Sequence, residues 1–419
     1  MLRTEQHLLG PEHPAFPTLV TLSNLAARVR NQALYRMRRQ WEATGKWSEP
    51  GVRKQMRADE YEHYMAMPQK LARETSRAAN RELLSYARGR KAGCRARLPR
   101  YMPHTGRAVL HFSASDQLSK PALREGVIKV GGVADPLVSI PRCGEVREVR
   151  VLPRKHHFVV EVVHRLKQKG TTKKGGHIAG LDVGIDNLAA VMIDKPGIDP
   201  LLVCGRQLKS TNQGFNKKKA LMQSSLPAGV TWSAALEALS ARRNRRVKAL
   251  VHAASRTVVD YLVENGVSTL VVGWNTGFKS GPSDLGRVFN QRFRSLPLRT
   301  FVDQLHYKCA DDGIEVIETE ESYTSKTSVL DRELPYRRDQ YSGKRVARGL
   351  FRSGDGREIN ADINGACQIV RKCKPEAFKW LADGVEATEV PTPVRVRAGG
   401  WPCAGKSAQK VSDARVRAR

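Results

Sequence analysis

The amino-acid sequence predicts several domains that combine α+β and α/β organisation: a helical lobe, a small β-barrel and, beyond about residue 170, an α/β domain. Three observations lead there. The 419 residues exceed the usual length of one domain and suffice for more than one apolar core. Apolar residues recur at helical spacing from about Pro17 to Ser85, then in short strand-like runs between Arg107 and His164. Past Gly176, apolar β-type runs alternate with long helical stretches, the signature of an α/β domain.

In the helical lobe, Leu22, Leu25, Ala26, Val29 and Ala33 mark one face, with Arg28, Arg30, Arg36, Arg38 and Arg39 interleaved. The charge is of one sign, which favours phosphate contact over pairing along the helix. The following runs, Ala108–Phe112, Gly126–Val130, Val146–Leu152 and Phe158–Val163, are separated by Gly and Pro, as expected of a small barrel. Residues 167–177 carry almost no apolar side chains and read as a linker. Then come Ile178–Gly184, Leu188–Ile193 and Leu201–Cys204, a three-strand meander. A helix follows with Val247, Leu250, Val251, Ala254, Val258 and Leu262 on one stripe and Arg242, Arg243, Arg245 and Arg246 ahead of it, stopped at Asn265-Gly266. Strand Thr269–Val272, a helix bearing Leu298, Phe301, Val302, Leu305 and Cys309, and strand Ile314–Ile317 complete the alternation. Residues 385–419, rich in Pro, Gly, Arg and Lys without periodicity, read as a disordered basic tail.

Composition narrows the partners. With 40% hydrophobic and 27% charged residues the chain is globular in type. Lys and Arg total 72 against 41 Asp and Glu, a net +31, which calls for a polyanion. No segment approaches the roughly 20 apolar residues of a membrane span, so nucleic acid is expected and a membrane is not. The opening Met1-Leu-Arg-Thr leads into no apolar signal core, so a cytoplasmic protein, nucleoid-associated when bound to DNA, is expected. Seven cysteines without a Cys-x-x-Cys pair signal neither a disulfide framework nor a structural zinc site.

Acids at three places in this domain suggest chemistry. Asp182 interrupts an apolar strand, where an unpaired carboxylate is costly unless a cation, donor or solvent meets it; Gly180 and Gly184 beside it leave room for a ligand or another backbone. Glu318, Glu320 and Glu321 end a later strand. Asp362 opens a helix with Ile363, Ala366 and Ile369 along one face, a place where an acid also complements the helix dipole. Alone, each has an ordinary reading: Asp182 as a turn or edge acid, Glu318–Glu321 as a solvated strand end, and Asp362 as a helix-start acid, the reading its position alone favours. Together they offer hard oxygen ligands for divalent ions, the requirement of two-metal phosphodiester cleavage.

The motifs carry a resemblance. Gly180–Ala189 (GLDVGIDNLA) is similar to the first RuvC motif of TnpB proteins, Tyr323–Lys326 (YTSK) to their Thr-Ser motif, and Asn360–Ala366 (NADINGA), followed by Ile369–Lys372, to their third RuvC motif. Arg3–His7 and Tyr35–Trp41 (YRMRRQW) fit as well. The resemblance implies a RuvC/RNase H-like nuclease domain over 178–326 and 359–384. It also implies a wedge-like barrel over 1–14 and 99–166, a helical recognition lobe over 15–98, and an insert over 327–358. It further implies an RNA-guided DNA endonuclease of a mobile element. Guide RNA and target DNA would be the partners, with cleavage beside a short adjacent motif.

Two departures from the family pattern stand out. The usual catalytic glutamate ends the strand that here reads LVVGWN, so Gly273 occupies its place; a subset of these proteins, like the related Fanzor nucleases, carries it just before the Thr-Ser motif, which is Glu321. The implied ligand set for Mg²⁺, or Mn²⁺, is therefore Asp182, Glu321 and Asp362, with Glu320 expected on the opposite side of a continuing strand. The cysteines of the zinc ribbon are missing: Ser328 stands at the first, and none occurs from Val329 to Asn360. The insert is expected to fold without Zn²⁺ on Leu330, Leu334, Tyr336, Tyr341, Leu350 and Phe351, with Arg337, Arg338, Lys344, Arg345 and Arg348 free to clamp a strand. Lys217, Lys218, Lys219, Thr324, Ser325 and Lys326 join the arginines of the lobe and the long helix as nucleic-acid candidates. Competing readings are a compact type V CRISPR effector, a nuclease-inactive RNA-guided DNA-binding repressor and, least favoured by the acid on the last helix, a DDE transposase. Whether the chain acts as monomer or dimer is not encoded in any motif.

Overall fold

The computed structural model describes residues 2–140, 144–165, 175–275, 296–382 and 390–400. The linker expected at 167–177 lies almost wholly outside them, as do Cys143 and Cys403. The chain divides into two compact units, Met1–Gln168 and Lys169–Arg419.

The first unit opens with strand β1 (Leu2–Leu9), followed by helices α1 (Phe16–Thr44), α2 (Glu49–Ala58), α3 (Glu62–Met65) and α4 (Gln69–Lys91). Pro17 enters at the first turn of α1, where a missing N–H costs nothing, and Gly45 closes the helix in the left-handed conformation, its N–H donating to Trp41 O. Then come β2 (Leu110–Ser113), α5 (Lys120–Arg124), β3 (Val127–Ile128), β4 (Val138–Ser139), β5 (Glu145–Pro153) and β6 (Phe158–Arg165). Strands β1, β6, β5 and β2 form one antiparallel sheet in that order, in register from Leu2 with Arg165 to Leu9 with Phe158 at the first pairing. Alternation along β6 buries Phe158, Val160 and Val162 in a core shared with Leu34 and Met37 of α1.

The expected barrel is corrected to an open sheet, with β1 and β2 at its edges among the described residues. The run at Gly126–Val130 does not join it: β3 pairs with β4 in a separate two-stranded ribbon. Gly131, Gly132 and Pro136 confine that ribbon to two residues per strand, too short to bridge the edges of a four-stranded sheet.

In the second unit, β7 (His177–Asp182), β8 (Asn187–Ile193) and β9 (Leu201–Cys204) form the meander. Helices α6 (Arg206–Ser224) and α7 (Ala234–Glu264) lead to β10 (Val267–Gly273), then α8 (Leu298–Asp311) and β11 (Glu315–Thr319). A small sheet of β12 (Lys344–Ala347), β13 (Leu350–Arg352) and β14 (Glu358–Asn360) precedes α9 (Ala361–Cys373), α10 (Lys379–Ala382) and β15 (Val394–Val396). The main sheet runs β11-β10-β7-β8-β9-β15, parallel between β11, β10 and β7 and antiparallel across β7, β8 and β9. Its period-two pattern sorts the two faces: Ala179, Leu181, Val191, Leu270 and Val272 pack with α7 and α8, whereas Ala190, Met192, Leu202 and Val271 pack with α9.

Three further expectations are corrected here. Helix α7 starts at Ala234, with Ser233 capping Leu236 N, so Arg242–Arg246 lie inside it rather than ahead of it. Its first half has little apolar stripe because it packs against α6 instead of the sheet. The tail is not disordered throughout: Val394–Val396 pairs in parallel with β9, the valines flanking an arginine in strand alternation and covering an otherwise open edge. The rest of that tail, 385–389 and 401–419, lies outside the described residues. In the insert Leu330 and Phe351 are buried, but Tyr336 is 55% exposed and contributes little to its core. A buried acid does the holding instead. Glu333 accepts from Ser328 N and Ser342 N at 2.9 and 2.8 Å, and its carbonyl accepts from Gln368 Nε2 and Arg371 Nη1 of α9. A charged side chain in a sequence gives no hint of such burial.

Candidate active site

Strand β7 is the pivot of the sheet: the chain leaves it on one side for β8 and on the other joins β10 in parallel. Crevices at the carboxyl ends of strands flanking such a switch are where open α/β sheets bind ligands. Asp182 is the last residue of β7, and alternation from Gly180 turns it to the α9 face. Helix α9 can come that close because both partners lack a side chain. A Cβ on Gly180 would stand 2.0 Å from Ala366 O, and one on Gly365 would stand 3.1 Å from Asp182 Oδ2. Gly180 and Gly184 thus admit backbone rather than ligand, since a Cβ at Gly184 would meet Asn187 O at 2.7 Å.

Asp362 sits in the first turn of α9, which Asn360 caps by accepting from Asp362 N and Ile363 N at 3.0 and 3.2 Å. Its Oδ2 accepts from Asn187 Nδ2 at 2.7 Å, and Arg345 Nη2 lies 3.6 Å from its Oδ1. Glu321 follows β11. Its N–H donates to Asn275 Oδ1 at 3.1 Å and its carbonyl accepts from Thr324 Oγ1 at 2.7 Å, which fixes the backbone from both sides. Glu321 Oε1 is buried without a hydrogen-bond partner among the described residues. Such a carboxylate oxygen is expensive to keep and asks for a cation or a proton.

The geometry explains why glycine stands at 273. Strands β10 and β11 are parallel with Gly273 opposite Thr319, and a Cβ on Gly273 would lie 2.5 Å from Ile369 Cδ1 and 2.8 Å from Glu321 Cγ. The space a side chain would fill is taken by Ile369 and Glu321. Glu320 faces elsewhere: its Oε2 accepts from Lys372 Nζ at 3.1 Å and Ser322 Oγ at 2.7 Å, and these bonds hold its carboxyl below the ordinary range.

Burial, then the neighbouring charges of Asp362 and Glu321, push the Asp182 carboxyl up to about 8. Burial followed by the charge of Glu320 pushes Glu321 up to about 7. Asp182 therefore senses the charges of both other acids, whereas the like charge that Glu321 senses is that of Glu320. Among the described residues no three His, Cys, Asp or Glu side chains stand gathered as a ready-made metal cluster. The donor set nonetheless fits a hard divalent ion: oxygen ligands only, raised proton affinity, and one buried oxygen without a partner.

An open cleft of about 530 Å³ runs beside Asp362, floored by Asp186 and Asn187 and edged by Arg206, Arg345, Arg348 and Arg395. Arg348 of the β12–β13 turn and Lys209 of α6 both pair with Asp186. Asn187 and Lys372 lay within quoted motifs but their roles needed the fold. Arg395 had no signal at all, being part of the supposed tail.

Comparison with known proteins gives two family-model matches. Residues 157–278 match OrfB_IS605, described as a probable transposase, and residues 299–369 match the Cas12f1-like TNB domain. Asp182 and Gly273 fall in the first stretch, Glu321 and Asp362 in the second. A curated relative, the TnpB-like protein ORF457 of Acidianus two-tailed virus, is 26% identical over 232 residues, 53% of this chain and 45% of that protein. The chain is similar to TnpB proteins. It spans less than half the length of this TnpB-like relative. Among solved structures, the mini-RNA-guided endonuclease CRISPR-Cas_phi3 aligns with a TM-score of 0.46 at 9% identity, covering 88% of this chain and 92% of that one. A Cas12f1-sgRNA-target DNA complex aligns at 0.36 and 14%, covering 87% and 98%.

The basic residues of the chain divide by their engagement. Arg36 pairs with Asp59 at 2.6 Å, Arg38 lies over the Tyr101 ring at 4.6 Å, and Arg39 is exposed near Glu42. Lys217 and Lys218 are exposed on α6 and Lys219 half-buried; Arg242, Arg245 and Arg246 are exposed on α7. Arg243 is instead structural, donating to Asn212 Oδ1 at 2.7 Å and lying over Phe215. Thr324 is buried and spent on Glu321, while Ser325 and Lys326 are exposed.

Proposed function

We propose that this chain is an RNA-guided DNA endonuclease of a mobile element, cutting target DNA beside a short adjacent motif at a RuvC-like site. The observation that carries it is the buried oxygen of Glu321 without a partner among the described residues, together with an Asp182 carboxyl raised by burial and by the charges of Asp362 and Glu321. The strand order, the two family-model matches and the net +31 support the same reading. The second unit, with the insert 327–358 as a nucleic-acid-binding element, is then the nuclease domain. The first unit supplies the wedge and recognition lobe, and base pairing by the guide reads the sequence.

Asp182, Glu321 and Asp362 would hold Mg²⁺ or Mn²⁺, which when bound supplies charge stabilisation to the attacking and leaving oxygens of an in-line displacement. Asn187 holds one oxygen of Asp362 so that the other faces the cleft. Asn275 and Thr324 orient Glu321 through its backbone. Lys372 keeps Glu320 out of the ligand set. Arg206, Arg345, Arg348 and Arg395 bind the phosphates of the strand to be cut and set it along the acids, contributing affinity without base specificity. The exposed Lys217, Lys218, Arg242, Arg245 and Arg246 extend that backbone contact.

The test is plasmid cleavage by the chain co-expressed with RNA from its own locus, with Mg²⁺ and with EDTA. Cutting in Mg²⁺ that EDTA abolishes is expected. Guide-dependent binding without cutting in either condition would replace the endonuclease by a repressor.

A further inference from the structure

The first unit holds an aromatic and basic pocket that the acid site does not use. Helix α1 contributes Arg28 and Tyr35 from one face, the α2–α3 junction contributes Tyr61 and His63, and the extended segment after α4 contributes Tyr101 and His104. Such a segment needs fixing before it can present a ring, and two side chains do this. Asn31 Nδ2 donates to Met102 O at 2.9 Å while Asn31 Oδ1 accepts from Met102 N at 2.9 Å, and the buried Arg30 donates to Arg100 O. Both polar groups of residue 102 are thereby held, and Tyr101 is set against α1 with the Arg38 guanidinium over its ring.

The rings are exposed where a core would bury them. Tyr35 is 50% and Tyr101 46% accessible, and both border one open pocket of about 330 Å³. Tyr61 and His63 stack edge-on at 5.4 Å, and Arg28 Nη1 lies 3.2 Å from His63 Nε2. Arg28 Nε is buried with no hydrogen-bond partner among the described residues. Nor, among those residues, does an acidic side chain line the pocket. Preset aromatic faces with cations beside them and no acid in the lining form a stacking platform for nucleobases, each of which offers a π-face whatever its identity.

We infer that this pocket takes one unpaired nucleobase of a nucleic-acid strand, stacked on Tyr35 and Tyr101, with Arg28 and Arg38 facing the adjoining phosphate. The acids of the second unit play no part in it, so it stands or falls separately from cleavage.

The full-length chain is titrated with short single strands of RNA and of DNA carrying 2-aminopurine, whose fluorescence is quenched on stacking. Quenching with the wild-type chain is expected. Tyr35→Ala and Tyr101→Ala should each lower affinity by roughly fivefold to a hundredfold and lose the quench. Tyr35→Phe and Tyr101→Phe keep the ring and should retain both, which separates stacking from a folding defect. Quenching by RNA alone, DNA alone or both identifies the strand that donates the base. No quenching with either strand, or alanine variants that quench and bind like the wild type, would overturn the inference.

Discussion

Asp182 binds its proton more tightly in the folded chain than an exposed aspartate does, because burial and two neighbouring acids oppose its charge. Without a divalent ion the folded state therefore holds a proton that the unfolded state releases. Its contribution to stability falls as pH rises from about 4, the unfolded value, to about 8. Thermal melts of the metal-free wild type and of Asp182→Asn should agree near pH 4 and diverge toward pH 8, with the substituted chain the more stable, and Mg²⁺ should narrow the gap. A difference that does not change with pH would remove the charge cluster from the explanation. Asp182 and Asp362 were legible in the sequence because each interrupts or opens an apolar pattern, where an acid needs a reason. Asn187 and Lys372 were not, since their roles depend on partners 175 and 52 residues away. Gly273 was legible only as a missing acid. The structure gives it a positive reason, the space it leaves to Ile369 and Glu321.

At the scale of elements, local periodicity carried most of the fold. The strands of the meander, β10, α8 and α9 follow the apolar spacing because each buries one face or both in a core. Periodicity failed where pairing partners are distant. Strand β15 is three residues long, and nothing near Val394 announces an edge waiting at Leu201–Val203. The same limit made a barrel of short runs that instead form an open sheet and a ribbon. If β15 completes the sheet, deletion from residue 390 onward uncovers β9 and the buried Val396, and should lower stability by about 1–3 kcal/mol, a few degrees in melting temperature. The same deletion removes Arg395 from the cleft and should weaken binding of single-stranded DNA. An unchanged melting curve would mean that β15 does not hold to the sheet in solution.

Across the whole molecule, a net +31 pointed to a polyanion before any motif was weighed, and the fold gives that charge a destination. Four arginines from α6, the β12–β13 hairpin and β15 edge one cleft lined also by Asp362 and Asp186. Among the described residues no helix is long and apolar enough to cross a membrane. The proposed site rests on the choice of Glu321 over Glu320, adjacent residues with opposite surroundings. One has a buried oxygen without a partner among the described residues, and the other is paired with Lys372. Guided plasmid cleavage in Mg²⁺ by Glu321→Gln and Glu320→Gln tests that choice most directly. Each substitution removes one charge and keeps the shape. Loss of cutting by at least roughly a hundredfold in Glu321→Gln, with Glu320→Gln near wild type, is the expected result; the reverse order, or equal activity in both, would contradict the assignment.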